Sequence, residues 1–143
     1  MIDQCVFCAI IAGTAPASLV WQDECAVAFM DIRPVNPGHV LVVPRVHAAS
    51  LSELDPAVGA HLFQVAMRLA PAVRRSGVAC EGIALFLADG QAAGQQVMHV
   101  HLHILPRFHG DGFGFRIGPL NFQSPDRATL QKVAAGILGA LDG

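Results

Sequence analysis

The segment Val97-Met98-His99-Val100-His101-Leu102-His103-Ile104-Leu105 constrains the fold more than any other, because histidine and aliphatic residues alternate along it. Successive side chains of a strand point to opposite faces, so the pattern predicts a strand over Val97–Leu105. Its three imidazoles share one face and Val100, Leu102 and Ile104 line the other. The aliphatic face has to be covered by other elements, which leaves the imidazole face for chemistry. Same-face neighbours stand about 7 Å apart, a spacing suited to adjacent groups of a polyphosphate. Histidine titrates near neutrality, so neighbouring rings can divide the work, one neutral and nucleophilic, another stabilising a phosphate oxygen or a leaving group. Gly94-Gln95 precedes the segment, and a glycine there lets backbone amides come close to an anion.

The remaining elements follow from apolar alternation and punctuation. Further strands are predicted at Leu19–Gln22, Cys25–Asp31, His39–Pro44 and Gly82–Leu87. One long helix is predicted from Asp55-Pro56, an N-cap and a first-turn proline, through Leu62, Val65, Leu69 and Val73 to Gly77, with Pro71 expected to kink or loosen it. A second, weaker helix is predicted from Ser124-Pro125 through Leu141, because Gly136 and Gly139 interrupt it. Glycine and proline clusters at Gly13–Pro16, Pro34–Gly38, Asp89–Gly94 and His109–Gly118 alternate with the strands as loops. Short turns between strands, with helices inserted at two places, give an α+β fold built on a five-stranded antiparallel sheet.

A chain of 143 residues, 53% of them hydrophobic, closes one core without disulfide staples. Charged residues are only 14% and mean hydropathy is +0.49, so a subunit interface is the natural place for the aliphatic surplus. The net charge of −2 and the scattered Lys and Arg provide no basic stripe, which argues against nucleic acid as the main partner. No apolar run is long enough to span a membrane and the N-terminus has no charged and apolar leader pattern, so a cytoplasmic location and no membrane partner are expected. Cys5-Val6-Phe7-Cys8 reads as a redox pair, half a zinc site or two small buried residues, and spacing alone leaves the three open. His61 and His109 are assigned no role.

With these residues in view, the chain resembles the histidine-triad (HIT) superfamily, whose signature of three histidines alternating with apolar residues is here His99-Val-His101-Leu-His103-Ile-Leu. The likeness runs from Cys5 to about Phe115 and takes in Ala28-Phe-Met-Asp31-Ile32, Pro37-Gly-His39-Val-Leu-Val-Val-Pro-Arg-Val-His47 and Gly110-Asp-Gly-Phe113. It implies a single HIT-like domain over residues 1–143, with a motif-bearing core over about 5–115 and a helical tail over about 124–141. It also implies a homodimer whose two sheets join into one continuous ten-stranded layer. In the family the middle histidine becomes covalently nucleotidylated, which places the nucleophile at His101. His103 and the backbone of Gln95, Gln96 and Val97 would then hold the phosphate, Asp31 the ribose hydroxyls, and Val6, Phe7, Ile10, Phe29 and Ile32 the nucleobase. His39 matches the histidine that orients the triad. The zinc-bearing branch supplies two imidazoles from positions matching His47 and His99, so the likeness implies a structural zinc ion on Cys5, Cys8, His47 and His99 and no organic cofactor. The implied activity is hydrolysis at the α-phosphorus of a purine nucleotide derivative, a nucleoside phosphoramidate first and a dinucleoside polyphosphate next.

Two departures bear on substrate choice: Ala88 stands where many relatives carry Asn or Gln, and Gln96 where several carry Ser or Thr. Two other classes compete. One is a nucleotide-binding regulatory module with little turnover, for which the missing amide at Ala88 is the motive. The other is a metal-dependent phosphoester hydrolase that uses triad histidines as ligands; it needs a companion carboxylate that the sequence does not locate. Serine chemistry has no support, since no Gly-x-Ser-x-Gly elbow occurs.

Overall fold

The computed structural model describes residues 4–114 and 124–141, in two units divided after Gly112. Residues 115–118 of the predicted His109–Gly118 loop lie outside the described residues. In the first unit, strands β1 (Leu19–Gln22), β2 (Ala26–Met30), β3 (Val40–Pro44), β4 (Gly82–Phe86) and β5 (Leu102–Arg107) form one antiparallel sheet in the order β1-β2-β3-β5-β4. This is the predicted five-stranded α+β architecture.

Period-two alternation sorts the sheet into two faces. Ala26 and Ala28 of β2, Val40 and Val42 of β3, and Leu102 and Ile104 of β5 pack with Leu62, Val65, Ala66, Leu69 and Val73 of helix α2 (Pro56–Arg75). The intervening residues Val27, Phe29, Leu41 and Val43 pack instead with Phe7 of the short helix α1 (Val6–Ile11). His103 belongs by register to this second face, opposite Leu41 of β3 and Phe86 of β4. α2 therefore builds the core on one side, and the catalytic candidates lie on the other.

The boundaries of α2 are explained locally. The Asp55 carboxylate accepts the Ala57 N–H at 2.8 Å and Pro56 occupies the first turn, where its missing donor costs nothing. The helix runs unbroken through Pro71, the residue expected to kink or loosen it. Pro71 is exposed, so the Met67 carbonyl it leaves without a donor is on the solvent side of the helix.

The larger correction concerns the histidine strand. Pairing begins only at Leu102, not at Val97. Upstream of it the backbone is claimed elsewhere: the His99 N–H turns back to the Val97 carbonyl at 2.9 Å, and the Val100 N–H goes to the Ala48 carbonyl at 2.8 Å. Of the three histidines, only His103 stands on a strand. α1 is an element the sequence reading did not foresee; the Cys5 sulfur accepts the Cys8 N–H at 3.5 Å and starts it.

The second unit contains helix α3 (Arg127–Leu141), which starts after Asp126, whose carboxylate accepts the Thr129 N–H at 2.8 Å. Every described side chain of α3 is exposed, Ile137 and Leu141 included. Among the described residues no helix is long and apolar enough to cross a membrane.

Candidate active site and metal centre

Histidine tautomers can be read here from their hydrogen bonds. The His101 Nδ1 lies 2.7 Å from the His99 carbonyl, and a carbonyl only accepts, so Nδ1 carries the proton. The lone pair of neutral His101 is left on Nε2. Beside it, the Val35 N–H donates to His39 Nδ1 at 3.2 Å, which places the His39 proton on Nε2. That Nε2–H donates in turn to His103 Nδ1 at 2.9 Å, so neutral His103 holds its own proton on Nε2. The arrangement sets an unprotonated nitrogen on His101 next to an N–H donor on His103, with ring centroids 4.8 Å apart.

Burial disfavours the charged forms of His39 and His103. His39 is 2% exposed, and burial lowers its pKa, against the nearby Asp31 carboxylate, which raises it. His103 is pushed down to about 3, chiefly by burial and then by the charges of His101 and His39. Phe86 stacks on the His103 ring with centroids 3.9 Å apart and planes 8° from parallel, which fixes the imidazole plane. Phe86 is a site residue that the sequence reading missed, because the β4–β5 register that brings it to His103 is not written in either strand alone.

A cavity of about 500 Å³ opens on this face of the sheet. His39, His101 and His103 line it together with Asp31, Gln96 and Val97, and so do Val6, Phe7, Ile10, Phe29 and Ile32. The five apolar residues come from α1, β2 and the loop after β2, and Ile32 stands 90% exposed at this site. Two residues named from the sequence lie elsewhere. The Gln95 amide is spent on backbone: its oxygen accepts the Gly90 N–H at 2.7 Å, and its nitrogen donates to the carbonyls of Ala49 at 2.8 Å and Val97 at 3.1 Å. It braces the turn around Gly94, whose φ of 95° suits a residue without a Cβ. His99 is fully buried and points to a separate cluster.

In that cluster His99 Nε2 donates to the Pro44 carbonyl at 2.9 Å, which leaves the Nδ1 lone pair for other partners. Nδ1 lies 3.5 Å from the Cys5 sulfur, 3.6 Å from the Cys8 sulfur and 3.2 Å from His47 Nδ1, and His47 Nδ1 lies 3.4 Å from the Cys8 sulfur. Donors bonded tetrahedrally to zinc are separated by about 3.3 Å for two nitrogens to about 3.8 Å for two sulfurs, and these four atoms lie close enough to that spacing to take the ion. Burial pushes the Cys8 thiol up to about 11, with Cys5 acting in the same direction, a penalty that a dication offsets by stabilising the thiolate. Cys5, Cys8, His47 and His99 make a structural zinc site. All its positions are filled by protein, so the metal ties α1 to the lead-in of β5 and is scaffold. The carbonyl that sets the tautomer of His101 belongs to His99, itself a zinc ligand.

His61 and His109 have structural partners instead. His61 and the Trp21 indole N–H both meet the same Asp23 oxygen at 2.7 Å, and His109 pairs with Glu81 on the surface.

Comparison with known proteins agrees with this geometry. The HIT domain matches residues 12–110. An uncharacterized HIT-like protein of Mycobacterium tuberculosis is 38% identical over 138 residues, covering 96% of this chain and 95% of that one. A Zn-bound histidine triad family protein from Mycobacterium smegmatis superposes with a TM-score of 0.75 at 39% identity, over 99% of this chain and 98% of that one. The adenylylsulfatase HINT3 of Arabidopsis thaliana, a hydrolase, is 32% identical over 109 residues, which are 76% of this chain and 55% of that protein. The chain belongs to the HIT family.

Proposed function

We propose that the protein hydrolyses purine nucleotide derivatives at the α-phosphorus, by way of a covalent nucleotidyl-His101 intermediate. The observation that carries this reading is the 2.7 Å bond from His101 Nδ1 to the His99 carbonyl, which leaves Nε2 unprotonated in a ring that lines the cavity. His101 Nε2 attacks phosphorus, and the bond from phosphorus to the leaving amine or phosphate breaks, the amine departing with a proton taken from solvent. The His101 proton stays on Nδ1, so the ring becomes cationic, and the His99 carbonyl stabilises that charge. His103 Nε2–H donates to a phosphate oxygen, supported by Gln96 and the backbone at Val97. Water then attacks the adduct and gives up a proton to solvent, the bond from phosphorus to Nε2 breaks, and the nucleoside monophosphate leaves with neutral His101 restored. The apolar residues of the cavity, Val6, Phe7, Ile10, Phe29 and Ile32, take the base, and Asp31 takes the ribose hydroxyls.

A nucleoside phosphoramidate is the first substrate class and a dinucleoside polyphosphate the second. The working molecule is a homodimer made from one such domain per chain; the outer edge of β4, which pairs with no further strand among the described residues, and the exposed Phe63 and Met67 of α2 offer surface for a second copy and for a ten-stranded sheet. The test is AMP release from adenosine phosphoramidate by wild type and by His101→Ala, with equal folding and zinc content established first. Turnover by wild type and a loss of at least about a thousandfold in the variant are expected for removal of a nucleophile. Equal turnover would remove His101 from the mechanism.

A further inference from the structure

The cavity on the imidazole face is short of positive charge. Among the described residues that line it, Arg33 is the one lysine or arginine and Asp31 the one carboxylate. Burial disfavours the cationic forms of His39 and His103, so those two rings meet a phosphate as neutral groups. A terminal phosphate carries about −1.5 to −2 charges at pH 7, and a guanidinium meets such an oxyanion with paired N–H donors. Arg33 has that group to offer. It is exposed, and its one hydrogen bond among the described residues is made by its backbone, whose N–H donates to Asp31 Oδ1 at 2.8 Å. Other arginine side chains are engaged: Arg45 with the Asp23 carbonyl, Arg68 over the Trp21 ring, Arg74 with the Glu81 carbonyl and Arg107 with Asp111. The backbone that carries Arg33 is tied at both ends. Its N–H is held by Asp31, Pro34 follows it and restricts it to extended conformations, and the Val35 N–H is bonded to His39 Nδ1 at 3.2 Å. Arg33 is thereby fixed between two residues that line the same cavity.

We propose that Arg33 binds a second phosphate of the nucleotide, one beyond the α-phosphate, and so makes the protein prefer doubly phosphorylated nucleotides. This rests on the proposed function, which puts the α-phosphate at His101 and His103 and the ribose at Asp31. Two carriers of the second phosphate fit: the α-phosphate itself, as in a nucleoside diphosphate or a dinucleoside polyphosphate, and a ribose hydroxyl beside Asp31. In dinucleotide-binding folds a carboxylate holds a ribose hydroxyl and a nearby arginine accommodates a ribose phosphate. The Asp31 carboxylate repels a phosphate brought close to it, and the neighbouring guanidinium offsets that repulsion. If the α-phosphate is the carrier, dinucleoside polyphosphates gain over phosphoramidates as substrates; if the ribose is, the order of those two classes is untouched.

The experiment is calorimetric titration of the full, zinc-loaded chain with AMP, with ADP and with adenosine 3′,5′-bisphosphate, each nucleotide checked to be intact afterwards. Wild type is expected to bind one of the two doubly phosphorylated nucleotides at least about tenfold more tightly than AMP, and this preference should shrink as salt is raised. A preference for ADP identifies the phosphate chain as the carrier, and a preference for the bisphosphate identifies the ribose. Arg33→Gln should cut the preference to below about threefold, and Arg33→Lys should keep part of it, since a lysine retains the charge without the paired donors. Arg33 is exposed, so both variants should fold and keep their zinc. Arg75→Gln, which removes an exposed arginine away from the cavity, should behave as wild type. AMP binding without a preference for either doubly phosphorylated nucleotide, or a preference undiminished in Arg33→Gln, would overturn the inference and leave the proposed function standing. Binding of none of the three nucleotides would overturn both.

Discussion

Burial holds His103 at a pKa of about 3, so at pH 7 it meets an anion as a hydrogen-bond donor rather than as a cation. An unfolded histidine takes up its proton near 6.5, which the folded ring refuses. Stability from this source is therefore complete above about pH 6.5 and is lost as pH falls from there toward 3. Asp23 acts in a lower window. Burial would raise its pKa, but hydrogen bonds from Trp21, His61 and the amides of Cys25 and Ala26 hold it well below the usual carboxylate range. Urea denaturation between pH 6.5 and 4.5 should show a falling midpoint in wild type and a shallower fall in His103→Asn; identical slopes would mean the ring is not held neutral. The stack on His103 gives a second expectation. Phe86→Leu should move the His103 titration, followed by NMR, toward 6.5 and slow turnover by a few-fold to tenfold, on the order of 1 kcal/mol for an aromatic pair. The three histidines were legible from their alternation, whereas the roles of Asp31 and His39 and the ligand set Cys5, Cys8, His47 and His99 came from the likeness to the HIT superfamily. Phe86 and the Val35 amide were legible from neither, since each matters only through a neighbour that tertiary structure supplies.

Among the elements, the lead-in to β5 separates what pattern can give from what it cannot. Alternation correctly predicted that Val100, Leu102 and Ile104 enter the core under α2. It also predicted that all three imidazoles would share the opposite face, and there the metal cluster intervenes: His99 is drawn to Cys5, Cys8 and His47, so only His101 and His103 reach the cavity. A contact between residues 94 apart in sequence, Cys5 with His99, decides this, and no local pattern encodes it. Zinc should therefore matter to turnover although it touches no substrate. Cys8→Ser is expected to weaken zinc, to cost about 3 kcal/mol or more and on the order of 10 °C in Tm, and to slow AMP release by loosening the His99 carbonyl. Retained zinc and an unchanged Tm in that variant would contradict the structural role. In α2, Leu62 is buried at 2% exposure between helix and sheet, and Leu62→Ala should cost about 2–5 kcal/mol in urea denaturation without changing zinc content.

For the whole molecule, the sheet positions one set of residues for packing and the other for chemistry, and this division follows from period two alone. The strands were predictable from that alternation and their antiparallel sense from the short turns between them, whereas the order β1-β2-β3-β5-β4 depends on long-range pairing. The aliphatic surplus in the composition agrees with the exposed apolar side chains Phe63 and Met67 of α2. Sedimentation equilibrium should give twice the 15.1 kDa chain mass, and a monomer at micromolar concentration would contradict the proposed dimer. The central claim is that His101 Nε2 forms a bond to phosphorus. It is tested most directly by acid-quenching the protein during turnover of adenosine phosphoramidate and measuring intact mass with peptide mapping. The account predicts one AMP moiety attached at His101 in wild type and none in a folded, zinc-containing His101→Ala. An adduct on another residue, or undiminished AMP release by the variant, would contradict it.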